Sequence, residues 1–383
     1  MDDIIKRKIV NSSSNIISAI AVLIAIFCFV LRISSQYSSL NFEKINLLAI
    51  KSILPRKNFY FPSIINHSLY DFEKYNIPAP IGNNTMYKKT ENKDEELKSN
   101  MELPKLNENF KDEEEHHLPN EKTYKIIETN IGTGGTKCGN FYIKNTTGQD
   151  VNFSDLLISK PDIKIKNISE PQVLIFHTHT SESYMNKDSD FFYESFYPRS
   201  LNNSKNVVKV GDAITEKLKE HGINTIHDIT YHDTPSYNGS YSRAANTIKE
   251  NLKKYPSIQM VIDIHRDSLG SKETGKMKPT FKYKDKKAAQ LMVISGCDPD
   301  GSVGFPNWKQ NLKLALRVQK YCESMFPGIT RPLNFAKVKY NEHLTPGSLL
   351  IEVGSDANSL EEAVYTGSML GESLSKMLND IKQ

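Results

Sequence analysis

Cysteine is scarce and scattered: the 383-residue chain has four, Cys28, Cys138, Cys297 and Cys322. Their wide, irregular spacing excludes a CxxC metal ribbon and a disulfide-dense secreted scaffold, so they read as free thiols. A Cys297–Cys322 bridge would need an oxidising compartment and Cα atoms within about 7 Å, which spacing alone does not establish. A surplus of one charge is also missing, with 49 Lys and Arg set against 45 Asp and Glu for a net charge of +4. No continuous basic face results, which excludes nucleic acid as an expected partner. Apolar residues are few as well, at 38%. A chain long enough for two or three domains must then carry part of its length outside any core.

Long apolar runs are absent but for one, residues 16–31, whose only polar member is Ser18. With the small residues of 12–15 it spans roughly 20 positions, enough to cross a hydrocarbon layer of ~30 Å. Lys6-Arg7-Lys8 precede it and only Arg32 follows at once. That asymmetry puts the N-terminus in the cytoplasm and the rest of the chain on the outer side of the cell membrane. No A-x-A-like cleavage site follows, and Phe27-Cys28 is a poor lipidation context, so residues 1–33 are expected to be a cytoplasmic stub and an uncleaved single-pass anchor.

Residues 34–87 show no sustained period, and no fold is assigned to them. Residues 88–122 are a dense string of Lys, Glu, Asp and Asn, including Asp94-Glu95-Glu96 and Asp112-Glu113-Glu114-Glu115. Such a segment buries too little to offset chain entropy and reads as a charged, disordered linker, with His116-His117 as tether residues. Order returns at 123–383, where a short β-rich lead-in around the turn Gly132-Thr133-Gly134-Gly135 precedes the main domain. From Val173 onward apolar strands alternate with helical patterns. Strands are expected at 173–176, 223–226, 260–264, 291–295 and 349–353. Helices are expected from Val207 to a stop at Gly222, and over 242–252, 307–325 and 360–378. The fold class is therefore α/β, a mostly parallel sheet flanked by helices.

Three of these strands finish in titratable groups. Val173-Leu174-Ile175-Phe176 runs into His177-Thr178-His179-Thr180-Ser181-Glu182, Met260 to Ile264 into His265-Arg266-Asp267, and Leu349-Leu350-Ile351 into Glu352. In a parallel sheet these ends lie along one edge, where open α/β folds place their chemistry. Neutral imidazoles and a carboxylate are the donors Zn²⁺ takes when one position stays open for water. His177 and His265 are candidate metal ligands, with Glu182 preferred over His179 as the third. Glu352 suits the base that moves a proton from water to the leaving amine. Arg266 is a candidate to polarise the scissile carbonyl or dock a substrate carboxylate, with a salt bridge to Asp263 or Asp267 the equal alternative. His227 and His232, near the same edge, are supporting histidines.

Phe176-His177-Thr178-His179-Thr180-Ser181-Glu182-Ser183-Tyr184, Asp263-Ile264-His265-Arg266-Asp267-Ser268 and Leu350-Ile351-Glu352-Val353-Gly354-Ser355, with Asn358, Glu361, Glu362 and Ala363, resemble the stage II sporulation protein P family. The resemblance covers roughly residues 172–383. It implies a peptidoglycan hydrolase similar to zinc-dependent N-acetylmuramoyl-L-alanine amidases, on a phosphorylase/hydrolase-like sheet of the amidase type. It also implies cleavage of the muramoyl-alanine amide or of stem-peptide cross-links during forespore engulfment, alongside the stage II sporulation proteins D and M. In the wider amidase family two His and one Glu hold zinc and a C-terminal Glu is catalytic, a pattern that His177, His265 and Glu352 match. The family's middle Glu opens the first long helix, where this chain has Asn206-Val207-Val208-Lys209 and no acidic residue. A reading from another class stands beside this one: a catalytically silent wall-binding protein that organises a membrane complex.

Overall fold

The computed structural model of the chain describes residues 120–382. The expected anchor, the 34–87 segment and nearly all of the charged linker lie outside them. Among the described residues no helix is long and apolar enough to cross a membrane. In chain order the strands are β1 (Thr123–Thr129), β2 (Thr136–Cys138), β3 (Phe141–Asn145), β4 (Val173–Phe176), β5 (Phe191–Tyr193), β6 (Thr225–His227), β7 (Met260–Asp267), β8 (Gly270–Ser271), β9 (Gly275–Tyr283), β10 (Lys286–Ala289), β11 (Leu291–Gly296), β12 (Leu333–Ala336) and β13 (Ser348–Ser355). The helices are α1 (Phe153–Ile158), α2 (Val208–Glu220), α3 (Ser240–Lys254), α4 (Trp308–Met325) and α5 (Leu360–Asp380).

These elements build a mixed α/β fold with two sheets. The larger runs β2-β3-β12-β11-β13-β7-β4-β6, and the smaller β10-β9-β1-β5 with β8 beside β9. The mostly parallel expectation needs correcting at two levels. In the larger sheet β2–β3 and β11–β13 pair antiparallel, and in the smaller only β1–β9 is parallel. A parallel return needs a crossover, usually a helix. Between β7 and β11 the chain has no helix, only the hairpin strands β8, β9 and β10, so β11 comes back in the opposite sense.

β4 is apolar at every position because both of its faces are covered. Val173 and Ile175 pack into the larger core with Val210, Ile214 and Leu218 of α2 and with Leu370 and Leu374 of α5. Leu174 and Phe176 pack on the other face with Ala244 and Ile248 of α3. Fully burying side chains of this size contributes about 1.5–3 kcal/mol each. On α2, Val210, Ile214 and Leu218 recur at helical spacing and are fully buried, and Gly222, at φ +74°, follows the last turn. α2 crosses α5 closely at Gly371, where a Cβ would come 2.7 Å from Lys217 Cβ.

The register between β4, β7 and β13 decides what meets at the sheet edge. Phe176 lies beside Asp263, Leu350 beside Asp263, and Glu352 beside His265. Successive side chains alternate between faces. Asp263, His265 and Glu352 therefore share the α3 face with Phe176, whereas His177 follows Val173 and Ile175 to the α2 face. After β13 the chain is turned by Asn358, whose Oδ1 accepts from Ser355 N–H at 2.8 Å. Ser359 and Glu362 then form a reciprocal capping box that starts α5. The motif residues Asn358 and Glu362 thus build the turn behind Glu352. Cys138, Cys297 and Cys322 are buried and free, so the 297–322 bridge does not form.

Candidate active site

The loop after β4 is held by hydroxyls, which accounts for the Thr and Ser between its titratable residues. Thr178 donates to Asp263 through its N–H at 2.8 Å and its Oγ1 at 2.6 Å. Thr180 Oγ1 donates to Thr230 O at 2.7 Å, and Ser181 Oγ to Asp233 at 2.5 Å. The chain turns through 178–181, and Glu182 N–H closes onto His179 O at 3.0 Å. Glu182 is thereby brought back towards β7, where its Oε2 lies 3.5 Å from His265 Nδ1 and accepts from Arg266 N–H at 3.1 Å.

His179, Glu182 and His265 gather on one side of this loop. The His179 ring stacks on Tyr237, with centroids 4.4 Å apart and planes at 10°, and meets the His265 ring edge-on at 5.2 Å. Its Nδ1 is enclosed and has no hydrogen-bond partner. Burial pulls the His179 imidazole down to about 3, so it is neutral and carries a lone pair. Burial pushes the Glu182 carboxyl up, but Arg266, His265 and His179 outweigh it and hold the group well below the usual carboxylate range. Burial works against charge on His265, yet Asp263 and Glu182 outweigh it and raise its pKa well above the ordinary imidazole value. His265 Nε2 lies 2.9 Å from Asp263 Oδ1, a charge contact without hydrogen-bond alignment.

His177 stands apart from this group. Its Nδ1 donates to Ile264 O at 2.8 Å, and its Nε2 faces His227 Nε2 at 2.8 Å. His227 in turn sets its Nδ1 3.1 Å from Asp212 on α2. Burial first, and then the neighbouring His227, pulls His177 down to about 3. The residue is a neutral strut between the β4 loop, β7 and α2. His232 is a second strut, with Nδ1 2.7 Å from His177 O and Nε2 2.8 Å from Thr247 Oγ1. Gly211 makes room for the pair of rings: a Cβ there would sit 2.3 Å from His227 Nε2 and 3.0 Å from His177 Nε2. Alanine is a better helix former than glycine by about 1 kcal/mol, yet overpacking costs about 1–3 kcal/mol. Gly211→Ala should therefore lower the thermal midpoint, measured by circular dichroism, and a rise would contradict this packing.

Glu352 keeps part of its surface open, while its Oε2 is enclosed and unpartnered. Burial first, then the Asp267 charge, lifts its carboxyl to about 8. Arg266 is bound to backbone carbonyls. Its Nε donates to Ser183 O at 3.0 Å and its Nη2 to Pro198 O at 2.5 Å, with Nη1 3.4 Å from Asp267 O. Three of the guanidinium's five N–H groups hold backbone carbonyls in this arrangement. Arg331, which sequence reasoning passed over, pairs with Asp267 at 2.8 Å. Asp263 was also missed as a functional group, although its place two residues before His265 on one strand face was a readable signal.

The donor types around Glu182 suit Zn²⁺: the His179 imidazole with an enclosed, unpartnered lone pair, the Glu182 carboxylate, and the His265 imidazole, which gives up its proton to bind. Asp263 beside the far nitrogen of His265 is the kind of carboxylate that orients a ligating imidazole. As the side chains stand, no three His, Cys, Asp or Glu among the described residues are spaced as a metal ion would hold them.

A family model described as Stage II sporulation protein P matches residues 49–375. Stage II sporulation protein P of Bacillus subtilis (strain 168) is 29% identical over 224 residues, which cover 55% of this chain and 52% of that protein. The match thus spans about half the length of this curated relative. Among solved structures, N-acetylmuramoyl-L-alanine amidase AmiC2 of Nostoc punctiforme is similar at TM-score 0.31 and 12% identity, over 55% of this chain and 96% of that one. The amidase Ami1 of Mycobacterium smegmatis is similar at TM-score 0.32 and 13% identity, over 56% and 99%. The CwlD amidase of Clostridioides difficile, in complex with the GerS lipoprotein, is similar at TM-score 0.31 and 12% identity, over 55% and 99%.

Proposed function

Because the chain belongs to the stage II sporulation protein P family, we propose that it is a peptidoglycan hydrolase of sporulation that cleaves the amide between N-acetylmuramic acid and L-alanine. The observation that carries the reading is the meeting, on one sheet face, of a His179–Glu182–His265 donor group with an enclosed carboxyl, Glu352, lifted to about 8. In this reading His179, Glu182 and His265 would hold Zn²⁺, with His179 in the place expected for His177. When bound there, such an ion would supply Lewis-acid polarisation and a lowered water pKa. The chain's own residues do the rest. Glu352, with a pKa near neutrality, takes a proton from the attacking water and delivers it to the departing amine nitrogen of alanine. Asp263 fixes the His265 ring, and the Thr178 and Thr180 hydroxyls fix the loop that carries His179 and Glu182.

The apolar run at 16–31 serves in this proposal as a membrane anchor, with the N-terminus in the cytoplasm. The charged arm of roughly 35 residues lets the domain search nearby wall polymer without diffusing away. Partnership with the stage II sporulation proteins D and M and action during engulfment rest on the motif resemblance alone.

The test uses the full chain, purified in detergent and incubated with cell-wall sacculi. Mass spectrometry should find free stem peptides and peptide-free glycan. A chelator should stop the release and added Zn²⁺ restore it. Products cut only within the cross-link would replace the amidase reading with an endopeptidase one. No release with Zn²⁺ present, under conditions where a related amidase works, would overturn the hydrolase reading.

A further inference from the structure

We propose that Arg331 receives the carbonyl oxygen of the bond being cut, so that the substrate amide lies between its guanidinium and the Glu352 carboxyl. The inference rests on the hydrolase reading above and adds a residue to the same site. The topology places it there. β12 runs parallel to β11, and β11 antiparallel to β13, so the start of β12 shares a sheet edge with the end of β13. Arg331, two residues before β12, donates its N–H to Leu291 O at 2.7 Å. Leu291 is the register partner of Val353, the neighbour of Glu352. The Arg331 carbonyl is held in turn by Gln319 Nε2 at 2.8 Å.

The guanidinium is fixed by one contact and otherwise idle. Nη2 donates to Asp267 Oδ2 at 2.8 Å, with only 8% of the Arg331 side chain exposed. Nε and Nη1 are buried and have no hydrogen-bond partner, and neither does Glu352 Oε2. Among the described residues no ion pair joins Arg331 to Glu352, although the Arg331 charge is one of those acting to lower the Glu352 carboxyl. A buried donor or acceptor left without a partner is costly until a ligand supplies one. Donors already aimed at the place where charge develops contribute most in the transition state. Each nitrogen of Arg266 already gives one N–H to the carbonyls of Ser183, Pro198 and Asp267, which makes Arg331 the less occupied of the two guanidinium groups.

The step balances without a further reactant. Water oxygen bonds to the carbonyl carbon, the C=O π pair moves onto the oxygen facing Arg331, and the water proton passes to Glu352. The pair then returns, the C–N bond breaks, and the Glu352 proton goes to the amine. The positive charge of Arg331 is needed while the oxygen is negative, and little before.

The experiment measures kcat and KM of the full chain on a soluble muropeptide, for the parent, Arg331→Ala and Arg331→Gln, with zinc content measured in parallel. The expected result is a loss of about 10²–10³-fold in kcat for both variants, as for removal of one oxyanion donor, with KM and zinc content near parental. Added methylguanidinium should restore part of the rate to Arg331→Ala and none to Glu352→Gln. A raised KM with parental kcat would overturn the proposal and make Arg331 a docking group for a substrate carboxylate. Parental kcat and KM in either folded variant would overturn it outright, so the glutamine variant carries the test if the alanine variant does not fold. A silent parent overturns the hydrolase reading, and this proposal with it.

Discussion

Glu352→Gln in the full chain should lower stem-peptide release by about 10²–10⁴-fold, the range expected when a positioned acid–base group is lost. Gln has the same shape, and the enclosed Oε2 makes no hydrogen bond that the fold depends on, so the thermal midpoint should stay near parental. The large effect follows from protonation. A carboxyl lifted to about 8 by burial and by Asp267 can both accept and return a proton near neutral pH, and an amide can do neither. Zinc content, measured by elemental analysis, should be unchanged because Glu352 is not placed among the ligands. Retention of more than about a tenth of the activity would remove Glu352 from the chemistry and revive the catalytically silent reading.

The second large effect separates two histidines two residues apart. His179→Ala should take bound zinc from about one ion per chain to nearly none, and activity with it, since three protein ligands are the usual minimum for a catalytic site. His177→Ala should keep its zinc. It should instead lose stability, because Ile264 O loses its donor and His227 Nε2 its partner inside the fold. An unsatisfied buried polar group costs about 1–3 kcal/mol, and the lost ring leaves a cavity besides. Elemental analysis and thermal melts on the same preparations read both outcomes. Zinc lost from His177→Ala and kept by His179→Ala would return His177 to the ligand set.

The different surroundings of these two histidines mark what the sequence alone leaves open. The strands carrying Val173, Met260 and Leu349 were legible because each is a run of apolar, mostly branched residues ending in a titratable group. The helices at 208–220, 308–325 and 360–380 were legible from their buried stripes. Which histidine faces Glu352 depends on strand parity and on where the loop turns. Parity alone carries His177 to the α2 face with Ile175, a deduction open to sequence only once the register against Asp263 is known. Beyond β1, which the β-rich lead-in anticipates, the smaller sheet was not legible. β9 reads Gly-Lys-Met-Lys-Pro-Thr-Phe-Lys-Tyr, and its inward positions include Lys276 and Lys278, buried against Asp356 and Asp188. Buried lysines erase the apolar alternation by which a strand is recognised. Arg331 escaped for another reason: it precedes a four-residue strand and belongs to no motif, and its place beside the end of β13 appears only when β12 is seen to start at that edge.

β1 is gripped along both edges, by β5 at Thr123 to Lys125 and by β9 at Ile126 to Thr129. A strand pulled along its own axis loads such a ladder in shear, with its hydrogen bonds resisting together instead of opening one after another. Tension arriving from the N-terminal side of Thr123 is therefore met first in the smaller sheet. The larger sheet, in which His265 is the register partner of Glu352, shares no strand with β1.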